Sequence, residues 1–290
     1  MTPGDGYAGQ AAAAWQRAAA ARERASRAED SARRHDEWVR EPGRDLHEDL
    51  AAALRTTAAC HRSSAQLQEA FARRMTRWAQ GRGAPPQFMT GVAEACGTSS
   101  AALTLVDSGQ GQLAVAASDE VARAAQELEF ILGEGPTRDA TATGRTVVAA
   151  QTLLEQRWPC CGPALTALGV REVAAVPLST PDVSDVCLGA LAVFDPRPGL
   201  VGSQAFAEIV GALTRTVLLD PDADPELYGG TDHRDVVQQA AGMVSVHIGR
   251  RVDDALALVK ARAFSLGVPL ETFARGIVSG DFRLTPEGRS

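Results

Sequence analysis

The chain has 290 residues, 45% of them hydrophobic, enough for more than one packed core, and five cysteines without a repeating spacing, which argues against a disulfide framework. Its net charge of -7 excludes a uniformly basic nucleic-acid binder, but the total is unevenly partitioned. Residues 1 to 84 carry 14 basic against 11 acidic side chains, residues 85 to 230 carry 7 against 18, and residues 231 to 290 carry 8 against 7. The start of the chain lacks the apolar core of a signal peptide. No run of about 18 apolar residues occurs either, so a cytoplasmic protein without a membrane span is expected.

In chain order, residues 8 to 40 are rich in Ala, Arg and Glu and predict a helix with few large apolar side chains, weak on its own. Glu41-Pro42-Gly43 breaks it. A second helix is expected from Asp45 to Gln80. Leu46, Leu50, Ala53, Thr57, Cys60, Ser64, Leu67, Phe71, Met75 and Trp78 form its apolar stripe at spacings of three and four. That stripe fits a helix laid against the next domain or a homodimeric coiled coil. Residues 81 to 86 read as a linker, so 1 to 84 form a helical extension.

The next segment, 85 to 220, changes period. Ala101 to Val106, Gln112 to Ala117, Val173 to Leu178 and Leu188 to Phe194 are β-rich apolar runs and predict strands. Helical stretches lie among them at Gln87 to Cys96, Glu120 to Glu129, Leu165 to Leu168 and Ser203 to Leu218. Tight turns at Asp107-Ser108-Gly109 and Pro181-Asp182 point to an antiparallel sheet flanked by helices, an α+β arrangement. An acidic, Pro-containing linker spans residues 221 to 230. Three amphipathic helices then follow within 231 to 284: His233 to Ile248 stopped by Gly249, Val252 to Leu266 stopped by Gly267, and Leu270 to Ser279. None can bury its apolar stripe alone, so an all-α three-helix bundle is expected.

The C-terminal pattern Arg234-x-x-Val237-x-Gln239-Ala240-Ala241-Gly242-Met243-Val244, then Asp254-Ala255-Leu256-x-Leu258 and Leu270-x-x-Phe273-Ala274-x-x-Ile277-Val278, resembles the ANTAR family. The resemblance implies a module that binds paired RNA stem-loops in nascent transcripts and promotes transcription antitermination, usually as a dimer. Two positions depart from the family: Ala241 stands where a lysine is common, and Arg251 where a small helix-capping residue is usual. In the middle, Leu132-Gly133-Glu134-Gly135-Pro136, Thr143-Gly144, Arg157-Trp158-Pro159, Leu168-Gly169-Val170-Arg171-Glu172-Val173, Val176-Pro177-Leu178 and Leu188-Gly189-Ala190-Leu191 resemble a GAF domain. That implies a sensor for an unidentified small ligand or a protein signal partner, with no fixed cofactor. The whole chain is then expected to be a signal-responsive regulator of α+β plus all-α class.

Candidate RNA-contacting residues are Arg234, Gln238, Gln239, Arg250, Arg251, Lys260 and Arg275; Arg250 and Arg251 are adjacent in a helix-connecting turn suited to holding phosphates. Each basic residue is equally compatible with a solvated helix surface. Glu134 and Trp158 are candidate ligand contacts, Trp158 reading also as core. Vicinal Cys160 and Cys161 read mainly as packing thiols, with a catalytic thiol as the alternative. No phosphate-binding glycine loop, paired metal-spaced histidines or serine nucleophile elbow is present, so neither a catalytic nor a metal site is expected. The rival reading is a sensory protein-interaction module whose terminal bundle has lost RNA binding.

Overall fold

The computed structural model describes residues 3–39, 45–80, 87–180, 186–214 and 231–282; the breaks and turns expected at 41–43, 81–86, 181–182 and 221–230 lie outside them. The chain opens with two long helices, α1 (Pro3–Val39) and α2 (Asp45–Ala79), packed against each other. Ala11, Ala14, Ala18, Ala21, Ala25, Ala28 and Ala32 of α1 are buried at alternating steps of three and four, and Ala51, Ala58, Ala65 and Ala72 of α2 recur every seven residues. This is heptad spacing with alanine in the seam, which lets two helices approach closely. Ion pairs flank the seam at the same interval: Arg22 with Glu69, Glu29 with Arg62, and Asp36 with Arg55. The pairs fix an antiparallel register, since each step forward on α1 is an equal step back on α2.

The seam changes the expected stripe of α2. Leu46 and Leu50 are exposed and Ala51, not Ala53, faces inward, because alanines of α1 select small partners. From Cys60 onward the expected residues do turn inward. Leu67, Phe71 and Met75 join Phe88, Met89 and Val92 of α3 (Phe88–Cys96) and Phe206, Ile209 and Leu213 of and just after α8 (Gln204–Ala212) in one core.

That core lies on one face of a six-stranded sheet. The strands are β1 (Ser100–Val106), β2 (Gln112–Ala117), β3 (Val147–Ala150), β4 (Glu172–Thr180), β5 (Val186–Phe194) and β6 (Thr231–His233), in the order β3-β4-β5-β1-β2-β6, every neighbour antiparallel. Alternation sorts the side chains: Ala101, Leu103, Leu191 and Val193 face the α3/α8 layer, whereas Ala102, Ala190, Ala192 and Phe194 face the opposite one. The second layer holds α4 (Glu120–Leu132), α5 (Pro136–Thr143), α6 (Thr152–Arg157) and α7 (Cys161–Ala167). Gly189 sits where β5 passes β1 so closely that a Cβ would come within 1.9 Å of the Thr104 carbonyl oxygen. Strand β3 and helices α5 and α6 were not expected from the sequence.

The C-terminal bundle comprises α9 (Asp235–Ile248), α10 (Val252–Leu266) and α11 (Leu270–Ser279). Gly249 and Gly267 end the first two in the left-handed conformation, as expected. Residues 231–233, expected at the head of the bundle, instead extend the sheet as β6, covering the free edge of β2. Among the described residues no helix is long and apolar enough to cross a membrane.

Candidate nucleic-acid interface and sensor cavity

The bundle's core is built mostly from residues of its sequence pattern, although Met243 and Leu258 of that pattern are exposed. Val237, Ala240, Val244, Ala255, Val259, Ala263, Leu270, Phe273, Ala274 and Ile277 pack together. Ala241 is also fully buried, so this position supplies packing and not a solvent-facing group. At the end of α9, Arg250 N–H donates to the Ser245 carbonyl at 3.2 Å and Ser245 Oγ donates to the Arg250 carbonyl at 2.6 Å. This closure fixes the turn that carries Arg250 and Arg251, both exposed. Arg251 caps α10 with extended backbone and no side-chain bond to the helix, and its guanidinium lies 3.5 Å from Asp253.

The other candidates separate into two groups. Gln238 and Gln239 lie near the start of α9, at the opposite end from Arg250, with Gln239 exposed, and Arg275 is exposed on α11 and paired with Glu271. Arg234 and Lys260 turn toward β2 and α4. Arg234 is 5% exposed; its Nε donates to Gln112 Oε1 at 2.9 Å, and its guanidinium lies 4.7 Å from the centre of the Phe130 ring. Lys260 Nζ donates to the Phe130 carbonyl at 2.6 Å and stands 3.6 Å from the same ring centre. Burial, with help from Arg138 and Arg234, pushes the Lys260 amine down to about 8.

Phe130 belongs to α4 yet is buried in the bundle's core. Nearly one turn earlier on the same helix, Glu127 Oε1 accepts from Leu270 N at 2.7 Å. Pro269 offers α11 no side-chain cap, so the Glu127 carboxylate of α4 satisfies one of that helix's free amides.

The inward face of α4 carries Ala122, Ala125, Gln126 and Glu129, at helical spacing. Two of these are polar and fully enclosed. Glu129 Oε2 accepts from the backbone amides of Thr137 (2.9 Å) and Arg138 (3.2 Å), and its Oε1 accepts from Gln126 Nε2 (3.0 Å) and Thr137 Oγ1 (2.9 Å). Thr104 Oγ1 donates in turn to Gln126 Oε1 at 2.5 Å. Burial pushes Glu129 up to about 7, against hydrogen bonds that favour its charged form. Gly135 makes room for it: a Cβ there would meet the Glu129 side chain at 2.3 Å. A cavity of about 30 Å³, the size of one water, adjoins this network and is lined by Thr104, Gln112, Gln126, Glu129, Phe130 and Arg138 among others.

The two residues expected to contact a ligand lie away from that cavity. Glu134 Oε1 accepts from the amides of Cys160 (2.6 Å) and Cys161 (2.8 Å), tying down the start of α7. Trp158 is 2% exposed in the core and donates from Nε1 to Asp139 Oδ2 at 3.3 Å. Cys160 is exposed; Cys161 is buried, which raises its thiol far above the ordinary range. Among the described residues no three His, Cys, Asp or Glu side chains converge as metal ligands. The signal for Gln126 and Glu129 was present, as two long polar residues on the buried stripe of a helix. Comparison of the chain with family models, curated proteins and solved structures gives no match.

Proposed function

We propose that the chain is a two-part regulator in which an α+β sensor controls a C-terminal helical output module. More particularly, the sensor is GAF-like, responding to a small ligand or a protein signal. The output module is of the ANTAR type: it binds stem-loops of nascent RNA and promotes antitermination, in the cytoplasm and as a homodimer. The carrying observation is the pinned turn between α9 and α10, which holds two adjacent, exposed arginines on a bundle whose core is made mostly of the pattern residues. A turn whose backbone is fixed before binding loses little further backbone freedom when its arginines meet phosphate. Further support comes from the half-open cavity with polar lining between α4, α5 and the sheet.

The test is Arg250→Ala with Arg251→Ala in the full chain, titrated with a synthetic RNA of two hairpins. Affinity should fall, and the salt dependence should flatten by roughly one logarithmic unit for each phosphate that is no longer neutralised. Unchanged affinity and slope would sink the reading. The rival, a protein-interaction module without RNA binding, is favoured by one observation: Arg234 and Lys260 are turned toward the sensor, while Arg251 and Arg275 have acidic neighbours. It predicts no salt-dependent RNA binding at any ionic strength.

A further inference from the structure

Lys260, the only lysine in the chain, is half-buried on α10. Its Nζ and the Arg234 guanidinium lie over one ring, 3.6 and 4.7 Å from the centre of Phe130. Arg138 of α5, exposed, lines the same cavity as that ring. Among the described residues no carboxylate forms an ion pair with Lys260 or Arg138. The carboxylates on the packed elements are engaged elsewhere: Glu127 accepts from the Leu270 amide, Glu129 is turned into the network between α4 and α5, and Asp253, which lines a groove with Lys260, lies 3.5 Å from Arg251. The Phe130 ring and its carbonyl, 2.6 Å from Nζ, favour the ammonium, whereas burial and the two guanidiniums oppose it. The balance brings the amine down to about 8, so at pH 7 about one in ten is neutral, against about one in three thousand for an ordinary lysine. A place that repels an ammonium in this way is suited to an anion.

We infer that Lys260 is a carbon dioxide site: its Nζ adds CO2 reversibly, and the carbamate so formed is held by the Arg138 and Arg234 guanidiniums. The lone pair of the neutral nitrogen attacks the carbon. An N–C bond forms, the electrons of one C–O π bond pass to oxygen, and the nitrogen gives up a proton to solvent. Amine and CO2 thus become carbamate and a proton, with no oxidant or further reactant. The side chain changes from cation to anion, so the charges of Arg138 and Arg234 turn from repelling it to attracting it. The carbamate nitrogen keeps one N–H, which preserves the bond to the Phe130 carbonyl. Access is provided by a groove of about 460 Å³ that reaches Lys260 between Ile131, Leu132, Leu256 and Phe264. Its apolar side chains suit uncharged CO2 better than bicarbonate, which loses its hydration there.

The test equilibrates the full chain with isotopically labelled CO2 and bicarbonate. Carbamates are esterified by a trialkyloxonium reagent before they can revert, and are assigned by peptide mass. A carbamate carbon resonance that is present in wild type and absent in Lys260→Arg, which keeps the charge but cannot add CO2, checks the assignment. A short peptide whose only amine is its α-amino group shares the sample. That amine is half neutral near pH 8 in water, so it separates the effect of basicity from that of the site. The neutral fraction of Lys260 is measured independently, from the pH dependence of its acylation. Per neutral amine, Lys260 should bind CO2 at least about tenfold more tightly than the peptide, since an adjacent opposite charge shifts such an equilibrium by about one logarithmic unit or more. Arg138→Gln leaves the backbone bond from residue 138 to Glu129 in place and should weaken CO2 binding about tenfold on the same normalised scale. Equal affinity of Lys260 and the peptide amine overturns the site. So does an Arg138→Gln chain that binds CO2 as tightly as wild type. Neither readout depends on RNA.

Discussion

The N-terminal hairpin and the C-terminal bundle both rest on the central sheet, but they are joined to it differently. Leu67, Phe71 and Met75 of the hairpin share a single core with α3, α8 and one face of the sheet. The bundle has its own core, to which α4 contributes Phe130 and, at its margin, Ile131. Hydrophobic burial is proportional to area, so the first joint is as strong as a domain interior, while the second depends on a few side chains and on the pairing of β6 with β2. The hairpin is thus an integral layer of the α+β region, and the bundle is a separately cored unit joined to it.

The largest expected effect tests the integral half of that contrast. Phe71 is 3% exposed and edge-on to Phe88 at 5.9 Å between ring centres. Phe71→Ala should cost about 3–5 kcal/mol. Hairpin and sheet should lose hydrogen-exchange protection together; a hairpin that frays while β1 and β5 stay protected would show that the core is not shared.

Next in size is a pH effect confined to the α+β region. Glu129 is raised from 4.5 to about 7, so between those values the folded chain retains a proton that the unfolded chain has released. The sign follows: below pH 4.5 both states are protonated and the group has no effect, and as pH rises from there through 7 the folded state is progressively disfavoured, by up to about 3 kcal/mol. Glu129→Gln should flatten the fall in stability of the α+β region between pH 4.5 and 7 in urea titrations. Identical slopes for variant and wild type would mean that Glu129 titrates as an ordinary carboxylate in the fold.

Smaller still is Val259→Ala in the bundle core, where loss of a fully buried side chain should cost roughly 2 kcal/mol. If the bundle is a separately cored unit, α9 to α11 exchange faster and the sheet does not. Equal loss of protection in β4 and β5 would make the α+β region and the bundle one cooperative unit and erase the distinction.

Legibility in the sequence followed the range of the interaction. Helix ends at Gly249 and Gly267 and the long strands β1, β2, β4 and β5 could be read locally, because capping glycines and apolar runs are local signals. Strand β3 has only four residues, too short for a period to emerge. The alanine heptads of α1 and α2 were in plain view, but large apolar side chains are what usually mark a buried stripe, and this seam is made of methyl groups. Hardest were Arg234 and Lys260. As cations on amphipathic helices they read as surface, and only the approach of Phe130, more than a hundred residues away in the chain, turns them inward.

Arg251 offers the smallest effect and the sharpest separation of fold from function. It occupies the cap of α10 with φ -62° and ψ 152°, a conformation in which Ser could accept a hydrogen bond from the helix's first amides, and it makes no such bond itself. Arg251→Ser should therefore stabilise the bundle by about 1 kcal/mol, seen as slower hydrogen exchange in α10. The same change removes one exposed cation from the pinned turn, so under the RNA-binding reading affinity for the two-hairpin RNA must fall although the module has become more stable. Most substitutions that weaken binding also weaken folding, which leaves the cause ambiguous. Here the two move in opposite directions, and a variant that is both more stable and equally tight in binding would remove Arg251 from the interface.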